Sequence, residues 1–147
     1  MRKYLLIGAG GFIGAILRHE LRSIRIGTWA GAFPVQTLVI NLAGCFLLAA
    51  LFALAAGSAK IKPDLKLGIA TGFLGAFTTF STMCKEIASL AAQGRAATAV
   101  AYAAIALLLG LAACSLGQRA ALAGLGWRRA VPAPVQPDIT SEGGEEA

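Results

Sequence analysis

Charged residues are sparse in this chain and fall in bands, and the stretches between the bands define its elements. Four runs contain no Asp, Glu, Lys or Arg: Tyr4 to Leu17, Ile26 to Ala59, Leu67 to Cys84 and Ala96 to Gln118. A helix that crosses a hydrocarbon core needs about 20 mostly apolar residues, and three of the four runs reach or approach that length. The first is short, so its helix must continue past Arg18 and His19 toward Leu21, which brings Arg18 near the headgroup level. The pattern predicts four crossings, over residues 3–22, 34–56, 65–92 and 97–122.

Local signals refine these bounds. Pro34 suits the first turn of the second crossing, where its missing N–H would be unsatisfied anyway, and Gly57-Ser58 closes that helix before a basic loop. Trp29 and Phe33 are expected at a membrane interface. The third crossing is unusual, because Gly72 to Thr82 places glycines, threonines and a serine at its centre. Backbone can unwind at that depth only where protein or a cavity satisfies the freed groups, so a break there would mark a site. An unbroken helix whose hydroxyls bond back to their own i−4 carbonyls fits the composition equally well. The fourth crossing is rich in alanine and leucine, with Tyr102 as its only aromatic. Residues 1–124 thus form one four-helix transmembrane domain. Residues 131–147, rich in proline, glycine and acid without apolar periodicity, are expected to be a disordered tail of no assigned function.

Composition agrees: 57% of the 147 residues are hydrophobic and the mean hydropathy is +0.72, above the soluble range. The net charge of +6 does not point to nucleic acid, since the basic residues edge the apolar runs without interleaved aromatics, and they read as headgroup contacts. In a four-crossing topology Arg2, Lys3, Lys60, Lys62, Lys66, Arg119, Arg128 and Arg129 share one side, and Arg18, Arg22, Arg25, Lys85 and Arg95 the other. That split is a weak orienting signal, as in a protein that inserts both ways. A cleaved leader is disfavoured because Arg18-His19-Glu20 stands where small residues would be needed, and Gly8, Gly10, Gly11 and Gly14 suggest close helix packing instead. Cys45, Cys84 and Cys114 are scattered singly, and with one histidine in the chain they read as small buried hydrophobes, not a metal or disulfide framework.

Polar side chains inside a bilayer are costly and face a partner or a wet cavity. Thr37 and Asn41, four apart, share a face of the second helix, with Gly44 opening space beside them. The Asn41 carboxamide can glue helices together or hold an anion. On the third crossing Phe80 aligns with Met83, Ser81 with Lys85, and Thr82 with Glu86, and a phenyl ring offers its positive edge to an anion. No catalytic set is present. Gly8 to Gly14 resembles a dinucleotide fingerprint only superficially, with no preceding strand and no acid at the needed distance, so an enzyme is not expected.

Three segments together resemble the Fluc (CrcB) family of fluoride channels: Gly10 to Arg18, Thr37 to Phe46, and Gly72 to Thr82, in that order and spacing. The resemblance implies an all-α membrane protein whose third helix is broken near mid-membrane, forming an antiparallel, dual-topology homodimer that exports fluoride passively across the inner membrane. It implies a structural sodium ion at the dimer interface, held by the backbone carbonyls of Gly75 and Thr78. It maps the family's pore asparagine to Asn41, and its phenylalanine box to Phe80 and to Met83, where a second Phe is usual. Ser81, Thr82, Glu86 and Tyr102 would extend a polar track beside Thr37, and Arg18 would raise anion concentration at a pore mouth. Departures are Gln36 where glycine commonly precedes Thr37, His19 where an aromatic is usual, and Ala106 and Gly110 where the fourth helix would carry hydroxyls.

Two other classes compete. A small proton-coupled multidrug exporter would need a carboxylate deep in the first helix, yet the first acid is Glu20, at that helix's end. In a non-transporting scaffold, Asn41 and the threonines would be packing glue.

Overall fold

A computed structural model describes residues 1–23, 33–57 and 61–124, and within them every regular element is helical. The loop with Trp29, the basic residue Lys60, and the segments with Trp127, Arg128, Arg129 and the expected tail 131–147 lie outside the described residues. Helix α1 spans Arg2–Ser23, passing Arg18 and His19 without interruption, and its 22 residues are about 33 Å long. α2 spans Val35–Gly57, with Pro34 immediately before it. The third crossing is composite: α3 (Pro63–Leu67), a π-helical stretch (Gly68–Leu74), α4 (Gly75–Phe77), two extended residues, and α5 (Phe80–Ala92). α6 spans Ala96–Gly124.

Three crossings, Val35–Ala56, Pro63–Ala92 and Ala96–Gly124, are long and apolar enough to span a bilayer on their own. α1 is long enough but less apolar, because Arg2, Lys3, Arg18, Glu20 and Arg22 lie within it. What α1 offers instead is a seam of glycines. Gly10 faces Gly68 and Phe73, and Gly14 faces Phe73 and Phe77, while Gly68 and Gly72 of the π-helical stretch face Leu6 and Ile7 in return. A Cβ on Gly10 would come within 2.5 Å of the Gly68 carbonyl, and one on Gly72 within 2.5 Å of the Ile7 carbonyl. Such small-residue pairs let backbones touch, and close packing supplies the association energy that hydrophobic burial cannot supply in lipid. The π turns are the part that periodicity could not foretell. They are rare and widen the helix locally, and here they coincide with the stretch that packs on α1.

The second helix pair is α2 with α6. Gly117 lies against the Phe46 carbonyl, where no Cβ could fit, and Gly110 lies beside the Cys45 sulfur. Contacts run parallel in both pairs, from Leu6 beside Gly68 to Gly14 beside Phe77, and from Phe33 beside Tyr102 to Phe46 beside Gly117. α5 and α6 are joined by a three-residue turn. The N–H of Arg95 bonds the Leu90 carbonyl at 2.9 Å and that of Gly94 bonds the Ala91 carbonyl at 3.0 Å, with Gly94 at φ 74°. This is a Schellman closure, and the left-handed residue at its tip is glycine because a side chain there would be strained.

Among the described residues, a compact core joins the two pairs. Leu38, Leu90, Ala99 and the fully buried Tyr102 pack together, with Phe33, Leu42, Met83 and Ile87 against them. Ile40, Leu74 and Phe77 are buried as well, but many other large apolar side chains face outward, including Phe12, Ile13 and Ile16 on α1 and Leu107, Leu108 and Leu111 on α6. Water would not tolerate such faces on a lone chain, whereas lipid or a second membrane helix would.

Candidate functional site

The break in the third crossing organises the site. Thr78 (φ −82°, ψ 158°) and Thr79 (φ −150°, ψ 108°) are extended, so the helical ladder stops at Phe77 and restarts at Phe80. Freed backbone groups cost several kcal/mol each in an apolar surround unless they find partners, and Asn41 supplies them. Its Oδ1 accepts the Thr79 N–H at 2.9 Å and its Nδ2 donates to the Thr79 carbonyl at 3.1 Å, so one carboxamide splints both polar groups of the extended residue. Thr79 in turn caps α5. Its Oγ1 accepts the Thr82 N–H at 3.2 Å and donates to Thr82 Oγ1 at 2.8 Å, with Ser81 Oγ at 3.4 Å. Thr78 Oγ1 bonds back to the Leu74 carbonyl at 2.9 Å, closing α4. Gly44 is required opposite, because a Cβ there would overlap the Thr78 methyl.

One turn further along α2 lies a buried polar cluster. Thr37 Oγ1 donates to Glu86 Oε1 at 2.7 Å, and the Tyr102 hydroxyl donates to Glu86 Oε2 at 3.0 Å. Three helices, α2, α5 and α6, meet at this one carboxylate. The Tyr102 ring is held by Phe33 edge-on, with centroids 5.2 Å apart and planes at 79°. Removing the hydroxyl with Tyr102→Phe leaves Oε2 with one donor fewer. Leaving a buried polar group without its hydrogen-bond partner costs roughly 1–3 kcal/mol. The variant is therefore expected to lose about 2 kcal/mol of stability in a denaturation of the detergent-solubilised protein. Unchanged unfolding would mean that the bond contributes nothing.

Beside the break a groove of about 480 Å³ opens between α2, the third crossing and α6. Asn41, Phe80 and Met83 line it, with Gly75, Thr78 and Thr79 at the break itself. Phe80 is 74% exposed and projects from the first turn of α5, while Met83, one turn on, also packs against the buried core. The second N–H of Asn41 has no partner among the described residues, so it remains available in the groove. Thr37, Glu86 and Tyr102 lie behind this wall. Arg18 is half-buried on α1 and does not line the groove.

The break also strips several carbonyls of their usual donors, those of Gly75 and Thr78 among them. In a continuous helix Gly75 O would accept the Thr79 N–H and Thr78 O the Thr82 N–H, but those hydrogens go to Asn41 and to Thr79 Oγ1. Among the described residues, the Gly75 and Thr78 oxygens therefore lack their usual i+4 donors. The sequence pointed to Asn41 as helix glue or anion holder, and its splinting of Thr79 was the reading it did not offer. The available signal was an asparagine on one helix and a helix-breaking Thr-Thr pair on another.

The match to the family model described as CrcB-like protein, Camphor Resistance (CrcB), spans residues 5–118, which takes in all four crossings and the break. The chain belongs to the CrcB-like family. Among CrcB-like relatives, one from Chlorobium phaeobacteroides (strain BS1) named fluoride-specific ion channel FluC is 48% identical over 92 residues, 61% of this chain and 70% of the relative. A fluoride-specific ion channel FluC 1 of Bacillus anthracis is 41% identical over 119 residues, covering 80% of this chain and 87% of the relative. A FluC of Shewanella amazonensis (strain ATCC BAA-1098 / SB2B) is 40% identical over 119 residues, 81% and 95%. This CrcB-like chain is a multi-pass membrane protein, and the relatives it resembles are named as ion channels.

Proposed function

We propose that the protein is a fluoride-selective channel that lets the anion leave the cell passively across the inner membrane and so confers resistance to fluoride. The observation that carries this reading is the interrupted third crossing, splinted by Asn41 and open to a groove, in a chain whose relatives are named fluoride-specific channels. Fluoride is small and strongly hydrated. A path for it must replace water with donors and remain too narrow for larger halides. The spare Asn41 N–H, the ring edge of Phe80 and the hydroxyls of Ser81 and Thr82 are of that kind. Met83 fills the second place of the aromatic pair with a flexible thioether, which alters conduction without ending it. Thr37, Glu86 and Tyr102 continue the polar line behind the groove, and Arg18, away from the groove on α1, raises the anion concentration near the membrane surface by its field.

The functional unit in this reading is an antiparallel homodimer, with the outward apolar faces and the open groove covered by a second copy and by lipid. The carbonyls of Gly75 and Thr78, without their usual i+4 donors, fit a sodium ion, which prefers hard oxygen donors, and a bound cation would supply charge compensation at the break. The test is anion flux from liposomes containing the purified protein. Fluoride is expected to leave and chloride to stay at least a hundredfold more slowly, with no dependence on a proton gradient. Proton-driven flux of organic cations would replace this reading with an exporter, and no flux at all with a scaffold.

A further inference from the structure

Two of the three cysteines, far apart in sequence, meet on the wall of the groove. Cys45 lies on α2 and Cys114 on α6, and both are half-buried and line the same cavity. The helices approach closely at this level because Gly110 and Gly117 have no side chains to hold them off. Cys114 Sγ is 3.6 Å from the Cys45 carbonyl, and Cys45 Sγ would lie 3.9 Å from a Cβ on Gly110, one turn before Cys114 on α6. Cys84 stands apart on α5, exposed.

We propose that Cys45 and Cys114 together form a two-sulfur site for a soft, linearly coordinating divalent cation, the mercuric ion. Three considerations select this occupant. Thiolate sulfur is a soft donor and favours soft metals. No group of three or more His, Cys, Asp or Glu that could hold a metal is found among the described residues, so the tetrahedral set that zinc prefers is missing, whereas a linear ion needs only two ligands. Charge decides the rest. When both S–H bonds break, two protons leave and two S–Hg bonds form, giving a neutral bis-thiolate. A monovalent ion on the same pair would leave a net negative charge in an apolar wall, at a large desolvation cost. The groove gives the ion a route in, and one ion seated there ties α2 to α6.

The test uses full-length protein carrying Cys84→Ser, which removes the exposed thiol and lies outside both the break and the polar cluster. One equivalent of mercuric ion per chain should survive a wash with a millimolar monothiol, and a dithiol should remove it. Adding Cys45→Ser or Cys114→Ser should speed release by the monothiol at least tenfold, since a single sulfur cannot chelate. Cys45→Ala serves equally well if the serine variant does not purify as a monodisperse species. Release from the two-thiol protein as fast as from the one-thiol variants would overturn the proposal. So would retention that persists with either sulfur removed. The readout is bound metal, so it stands or falls independently of fluoride passage.

Discussion

Fluoride flux through the Asn41→Asp variant is expected to fall by about three orders of magnitude. Two effects act together. Asn41 satisfies the Thr79 N–H and the Thr79 carbonyl at once, and an ionised carboxylate can serve only the first, leaving an acceptor facing an acceptor at the break. An orphaned buried carbonyl costs roughly 1–3 kcal/mol, which loosens the extended segment. The larger effect is on the anion itself. A fixed negative charge about 4 Å from a passing fluoride repels it by ~4 kcal/mol at an effective dielectric constant of about 20. That corresponds to roughly a thousandfold loss of occupancy. The comparison is fluoride efflux from liposomes with wild-type and variant protein at equal reconstitution, with size-exclusion profiles to confirm that both are folded. Wild-type flux in the variant would take Asn41 out of the pathway.

The second large effect is structural. Gly14→Ala is expected to prevent assembly of α1 on the third crossing, because the added methyl would overlap the Phe73 carbonyl and crowd the Phe77 N–H. Backbone atoms on the far side cannot swing away as a flexible side chain can, so the helices must separate and lose the contact along the rest of the seam. Overpacking in a tight interior typically costs 1–3 kcal/mol, and an immovable neighbour puts this case at about 3 kcal/mol or more. Gly8→Ala is the matched control. It lies on the same helix with nothing within 4 Å of its would-be Cβ, and it should be tolerated or slightly stabilising. The yield of monodisperse protein and its thermal midpoint distinguish the two. Equal behaviour would show that the seam is not held by glycine contact.

These two residues also mark what the sequence could and could not convey. Four crossings were legible because charge is excluded from apolar runs, and the uniformly apolar content of α2 and α6 leaves little else for them to be. A break near Thr78 was legible as one of two alternatives, since glycine and hydroxyl residues weaken a helix without saying where the freed groups will bond. The alternative was decided by Asn41, a residue on another helix, whose two bonds to Thr79 depend on the register between α2 and the third crossing. The convergence of Thr37 and Tyr102 on Glu86 has the same origin, with three side chains spread over 66 positions of sequence meeting because the helices pair as they do. The proximity of two of the cysteines was hidden from the sequence for that reason too. Cys45 and Cys114 are 69 residues apart and become neighbours only once α2 and α6 lie side by side. Local pattern carries the elements, and register carries the site.

The pairing of α1 with the third crossing, rather than with the helix that follows it in the chain, bears on how the molecule is made. During synthesis α1 emerges well before the third crossing, with several ionisable groups and a bare strip of backbone along one side. Its matching strip lies more than forty residues downstream, so for some time α1 must shelter against lipid headgroups or the insertion machinery. Conscription of α1 into the bilayer is then a late event, driven by the arrival of Gly68 and Gly72 and not by its own greasiness.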